Sequence, residues 1–366
     1  SVLDIRMKEG NMKKFSGSAS IGIISSKLML EGPIIKDKTS FLISARRTYI
    51  DILSYPFQKM YQKNQDIEGG GLGGYFFWDI NAKVNHKFSD KDRIYLSVYT
   101  GKDKAYMNIE DEWDGYEEVF ESNLKWGNIT SAFRWNHILG KKLFANTTLT
   151  FSRYNFGIDF NQKTTDLETD EFQEFAFGYG SGIEDMGAKI DFDYSPSPNH
   201  NIKFGANFIY HTFNPGIQAL KFDSGADSTA LDTTFGNSKI YANEYFLYAE
   251  DEIRVFNKFK VNLGFHYSGF SVSDTLYQSY QPRVSARYLI TPKFSIKAAY
   301  TQMTQYLHLL TNTSIGMPTD LWLPVTNNIL PQHSTQYAIG SAYSFDGYDI
   351  SIEAYYKTME NLIEYK

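Results

Sequence analysis

Connections of two lengths alternate along this chain, and that alternation limits the fold more than any single motif. About fifteen runs of two-residue periodicity lie near 16–24, 25–34, 39–53, 76–88, 93–107, 120–139, 142–160, 181–194, 200–214, 239–256, 258–272, 281–290, 293–305, 333–345 and 348–366. Short connections fall at 33–38, 89–92, 140–141, 195–199, 257, 291–292 and 346–347. Long polar ones fall between them, at 54–75, 108–119, 161–180, 215–238, 273–280 and 306–332. A soluble sandwich has no reason to gather its short turns at one end. A membrane barrel does, because its periplasmic turns are short and its extracellular loops long. The expected class is therefore all-β: a transmembrane antiparallel up-and-down β-barrel.

The runs also say which face each residue takes. In 201–213, Ile202, Phe204, Ala206, Phe208 and Tyr210 share one side, while Asn201, Lys203, Gly205, Asn207 and His211 take the other. The same split separates Phe259, Val261, Leu263 and Phe265 from Lys260, Asn262, Gly264 and His266. The polar set carries charges and faces water, so the apolar set faces lipid or a protein core. Most runs span 11–17 residues, enough for the ~9–11 residues of a tilted span. Aromatic residues recur near the ends of runs, as at Phe76, Trp78, Phe88, Trp126 and Trp135. Lipid is therefore the expected surroundings. A charge placed at Phe204 or Val261 is expected to disturb assembly, and one at Asn207 to be mild. Arg46 and Arg47 are adjacent, so alternation sends them to opposite faces, and one is expected to reach the lumen or the upper headgroup edge.

Composition narrows the remaining classes. Aromatics make up 16% of the 366 residues, as interfacial girdles require. Mean hydropathy is −0.39, and no run approaches the ~18 apolar residues of a spanning helix. There are no cysteines, which excludes thiol catalysis, zinc–thiolate sites and disulfides. Net charge is −6 with no dense basic stripe, against a nucleic-acid partner. No Gly-x-Ser-x-Gly elbow or paired catalytic acids can be placed, so neither an enzyme nor a cofactor is expected. The acidic stretch Glu110–Glu118 and the glycine run 69–74 are read as solvated loops rather than a calcium site or a phosphate loop.

One segment stands out as a ligand candidate. Tyr306, His308, Asp320 and Trp322 place aromatic faces and hydrogen-bonding groups on a long loop above the lumen. Long loops of this kind are usually functional or disordered. Leu309, Leu310, Leu321, Leu323, Pro318 and Pro324 argue for packing, so a scaffold role at the barrel mouth stands beside direct contact with a ligand.

Several blocks resemble one family. SVLDIRMKEG (1–10), FSGSASIGI (15–23) and KLMLEGPIIKDKTSFLISARRTYID (27–51) are similar to the plug-to-barrel junction of TonB-dependent outer-membrane receptors of the Bacteroidetes type. PRVSARYLITPKFSIKAAYTQM (282–303), GMPTDLWLPV (316–325), PQHSTQYAIGSAY (331–343) and ISIEAYYKTMENLIEY (350–365) resemble the same family. The resemblance implies a plug inside a barrel of about 22 strands, in the bacterial outer membrane, importing a scarce nutrient with energy passed by TonB. Residues 1–14 would then be the end of the plug and the junction, and 15–366 an incomplete barrel. An odd strand count points the same way, since bacterial single-chain barrels have even numbers. The implied partners are membrane lipid, a small nutrient ligand, the TonB complex through a part upstream of Ser1, and a surface lipoprotein. A passive porin, and a soluble β-rich carbohydrate-binding protein, are the other readings.

Overall fold

The computed structural model describes residues 7–64, 69–224, 231–236, 239–310 and 321–363. Its elements are β1 (Ser16–Ile21), β2 (Ser25–Ile35), β3 (Thr39–Thr48), α1 (Ile50–Asn64), β4 (Gly69–Lys87), β5 (Asp92–Trp113), β6 (Tyr116–Ile138), β7 (Leu143–Asp166), β8 (Phe172–Ser197) and β9 (His200–Asp223). There follow β10 (Leu231–Gly236), β11 (Ile240–Phe256), β12 (Phe259–Val272), β13 (Thr275–Thr291), β14 (Phe294–Gln305), β15 (Leu307–Leu310), β16 (Leu321–Pro324), β17 (Gln332–Phe345) and β18 (Tyr348–Glu360). Sixteen strands form one sheet, in which β10 branches off β9 and the other fifteen follow one another in order. Every pairing is antiparallel. The sheet is open, with β1 and β18 as its outer edges. β15 and β16 form a separate two-stranded hairpin.

The parity read from the sequence holds across the register. Phe204 faces Ala249, which faces Phe265, and these positions lie on the exposed face with Leu247, Val284 and Ile339. Tyr rings flank this apolar band above, with Tyr210 stacked on Tyr241 and Tyr267 beside Tyr280. Below it, Phe256, Phe259 and Tyr288 meet, as do Phe294, Tyr343, Phe345 and Tyr348. An apolar band between two aromatic girdles is the outer surface of a membrane barrel. Arg46 points inward to Asp79 at 2.6 Å. Arg47 points outward, over the Phe76 ring and to Asp51 at 3.1 Å.

Several expected loops are strand instead. β5 to β9 run 22 to 26 residues, so most of 108–119, 161–180 and 215–238 continues the ladder above the membrane. Both faces meet water there, which removes the apolar alternation without removing the backbone pairing. The loop at 273–280 shrinks likewise, since β13 begins at Thr275. Asp114–Gly115 closes β5 onto β6, and Asp346–Gly347 closes β17 onto β18, all four with positive φ. That is the left-handed geometry Asp-Gly supplies in a two-residue hairpin. The glycines at 69–74 also belong to a strand, β4, paired to β5 through Gly69↔Asp111.

Helix α1 replaces the strand end expected at 49–53. β3 stops at Thr48 while β4 extends higher, leaving the upper edge of β4 uncovered on that side. Gln58 closes it: its amide donates to the Gly73 carbonyl at 2.7 Å and accepts from the Gly73 N–H at 2.9 Å. Gln62 donates to the Gly71 carbonyl at 2.6 Å. The two side chains do what a neighbouring strand would do for a bare edge. Replacing both glutamines with alanine is expected to cost about 1 kcal/mol per lost bond locally. Faster amide exchange at Gly73, with the lower barrel unchanged, is the readout; unchanged exchange would refute the capping role.

Candidate functional site

The inner face of the wall carries charged side chains in pairs. Lys260 reaches Glu252 at 2.7 Å, Lys189 reaches Asp191 at 3.0 Å, and Lys297 meets Glu353. A concavity of about 400 Å³ on this face is lined by Lys260, Asn262, Arg287, Lys297 and Glu353. Near the lower rim, residues 7–14 lie against the wall. Lys8 pairs with Glu31 at 2.6 Å and Glu9 with Lys83 at 2.7 Å. Ser40 donates to the Gly10 carbonyl at 2.7 Å, and a Cβ on Gly10 would meet the Phe41 carbonyl oxygen at 2.2 Å. This segment is a tight fit with buried ionic partners on β2 and β4.

At the upper end, the β15–β16 hairpin folds inward. Leu307 pairs with Pro324 and Leu310 with Leu321, and the Val325 N–H donates to the Tyr306 carbonyl at 2.9 Å. β16 packs against β8 and β9. Tyr306 enters a buried cluster with Phe213, Ala242, Phe270, Val272 and Val325. Its ring stacks on Phe270 at 5.2 Å and its hydroxyl is 2.9 Å from the Ser268 hydroxyl. Ser268 also accepts from the Gln281 amide at 2.8 Å.

Beneath this cluster is an ionic group that no sequence pattern indicated. The buried His211 ring holds Asp185 at 2.7 Å through Nδ1 and Glu244 at 3.2 Å through Nε2. Its ring lies 5.9 Å from Phe270. Two carboxylate acceptors use both ring nitrogens as donors, which only the protonated imidazole provides. The three residues come from β8, β9 and β11, so the group clamps neighbouring strands at the level where the hairpin docks.

The four expected ligand residues separate. Tyr306 and His308 are each 1% exposed, so both belong to the packed underside of the hairpin in this conformation. Trp322 is partly buried and rests against the cluster. Asp320 lies outside the described residues. The loop is packed, but through Tyr306, His308, Pro324 and Val325; Leu309 is exposed, and Pro318 lies outside the described residues. At Glu110–Glu118 the carboxylates line a hairpin tip, Glu112 opposite Glu117 and Asp111 opposite Glu118. Among the described residues no cluster of His, Cys, Asp and Glu is arranged to hold a metal ion.

His308 is expected to make docking of the hairpin pH-sensitive. Among the described residues neither of its ring nitrogens has a hydrogen-bond partner, and burial pushes its pKa below the ordinary 6.5. A base with a depressed folded pKa binds its proton more readily when released, so stability falls as pH drops below the unfolded value. The hairpin is expected to stay docked above pH ~6.5 and loosen below it. Amide exchange at Leu307–Leu310 should therefore rise on acidification, and a His308→Leu variant should lose that dependence. A flat profile in the unmodified protein would contradict it.

Residues 54–366 match the model of the TonB-dependent receptor-like β-barrel family. The chain belongs to this family. Solved structures share the fold at low identity. The PfeA ferric enterobactin receptor of Pseudomonas aeruginosa, as a mutant, aligns with a TM-score of 0.59 and 12% identity over 97% of this chain and 55% of that one. The siderophore receptor PirA from Acinetobacter baumannii gives 0.54 and 13%, over 96% and 53%. The RagAB peptide importer gives 0.55 and 9%, over 92% and 44%. The chain thus spans about half the length of these receptor chains. No curated protein matches it in sequence. The girdled apolar wall and inward charges of this chain fit a barrel of that family.

Proposed function

We propose that this chain forms much of the barrel of a TonB-dependent receptor that imports a scarce nutrient across the bacterial outer membrane. The observation that carries the reading is the inner face: ion-paired side chains line it, and a packed hairpin occupies its upper end. A wall built to hold things inside suits a gated importer better than an open pore. Residues 7–14, fixed to β2–β4, are the point where a plug would join. The Bacteroidetes type, and with it a surface lipoprotein partner, rests on the sequence blocks; the likeness to the RagAB peptide importer is one of fold.

Within this reading, Trp322, the least buried of the three described candidates, and Asp320, which lies outside the described residues, stay the proposed ligand contacts, while Tyr306 and His308 hold the hairpin in place. The nutrient is of the size handled by such receptors, in the class of metal chelates and peptides. The test is uptake by cells expressing the full-length gene, with and without a functional TonB. Accumulation that depends on TonB and falls in a Trp322→Ala variant supports the proposal. Uptake that continues without TonB would make the protein a passive porin.

A further inference from the structure

We propose that the outer face of β4–β7 holds a binding site for a phosphate-bearing lipid headgroup of the outer leaflet, formed by Lys102, Lys125 and Arg153. Successive outward rows across these strands change character with height. Phe41, Val84, Leu96, Phe133 and Leu149 stand in one row, and Ile43, Ala82, Val98, Ser131 and Phe151 in the next. Above them come Ile80, Thr100, Ile129 and Arg153, then Arg47, Trp78, Lys102, Gly127 and Asn155, then Phe76, Lys104, Lys125 and Gly157. The outer wall turns from apolar to cationic within two rows.

The height of the change is that of lipid headgroups. Lys102 and Arg153 each lie about ten residues above the start of their strands, at Asp92 and Leu143. At ~3.3 Å per residue and a tilt near 45°, ten residues rise roughly 23 Å, the top of an apolar band about 25 Å tall. Elsewhere around the wall this level is held by tyrosines such as Tyr210 and Tyr241. Here the girdle is interrupted by positive charge.

A concavity of about 340 Å³ lies at the same place, and its lining includes Trp78, Lys102, Lys125, Ile129, Arg153 and Asn155. All six point outward by register. Gly127 and Gly157 provide its shallow floor, with Lys125 crossing Gly157 at 3.1 Å from where a Cβ would be. Lys125 is paired with Asp159, and Glu184 stands opposite Arg153 in the register. Among the described residues neither Lys102 nor Arg153 has an ion-pair partner, although both are exposed. Free cations above an apolar wall, with an indole beside Lys102 and an isoleucine beside Arg153, match a phosphate head with acyl chains lying along the strands. Arg and Lys at this depth interact with anionic lipid far more favourably than with the apolar interior.

Native mass spectrometry of the full-length protein in a neutral detergent tests this, with phosphatidic acid, phosphatidylcholine and inorganic phosphate as probes. Phosphatidic acid is expected to be retained at least about ten-fold more tightly than phosphatidylcholine, and a K102Q/R153Q variant to lose about thirty-fold of that affinity. A K91Q/K141Q variant, with the same charge change in the periplasmic turns, should bind as the unmodified protein does. Equal retention of the two lipids, undiminished retention by K102Q/R153Q, or displacement by inorganic phosphate at matching concentration would each overturn the proposal. Should K102Q/R153Q fail to assemble, the preference of the unmodified protein between the two lipids decides.

Discussion

A Phe204→Arg barrel is expected to fail in assembly, while an Asn207→Arg barrel assembles. Phe204 stands in the middle of the apolar band, its ring stacked on Phe192 at 4.9 Å and its row continued by Ala249 and Phe265. A guanidinium on the lipid side near the midplane costs about 2–4 kcal/mol, and lost ring packing adds to that. Asn207 is three residues further along the same strand and points inward, opposite Lys189 and Phe246. An added cation there meets water and one like charge, a matter of tenths of a kcal/mol at an exposed site. Yield of heat-modifiable barrel in outer-membrane fractions separates the two. Equal yields would mean that the facing assignment is wrong.

His211→Leu is expected to destabilise the upper barrel by about 3 kcal/mol, the lower end of what breaking a buried ionic group costs. The lower end applies because Asp185 and Glu244 keep 30% and 18% of their side-chain surface. Without the imidazolium the two carboxylates repel each other across the site. Chemical unfolding should show the loss, and Trp322 fluorescence should report release of the hairpin. Adding Asp185→Asn and Glu244→Gln to His211→Leu should restore much of the stability, since removing all partners leaves no uncompensated charge. If the triple variant is no better than the single one, the ionic account fails and shape alone explains the site.

The two-residue period made the wall legible because lipid on one side and water on the other write opposite demands on alternate residues. It placed Phe204 outward and Asn207 inward, and it sent Arg46 and Arg47 to opposite faces. Asp-Gly at 346–347 marked a turn, and the structure gives the pair its positive φ; the same pair at 114–115 lay hidden in a stretch read as a long loop. Above the membrane the period vanished, so the glycines of β4 and the tall ends of β5–β9 read as loop. α1 was hidden because its wall-facing residues, Ser54, Gln58 and Gln62, are polar, the reverse of an ordinary surface helix. The His211 group joins residues 26 and 33 positions apart in sequence, a juxtaposition that only the register of three strands creates. The candidate loop was legible as a place and as a packed segment, but not which side chains would be buried.

The hairpin between β14 and β17 is fastened to strands far from its own roots, at β8, β9 and β12. In a curved wall such a segment is a brace, spanning the arc as a chord spans a circle. It resists spreading of the strands it bridges. Any change that unfastens Tyr306 would alter stiffness and aperture together.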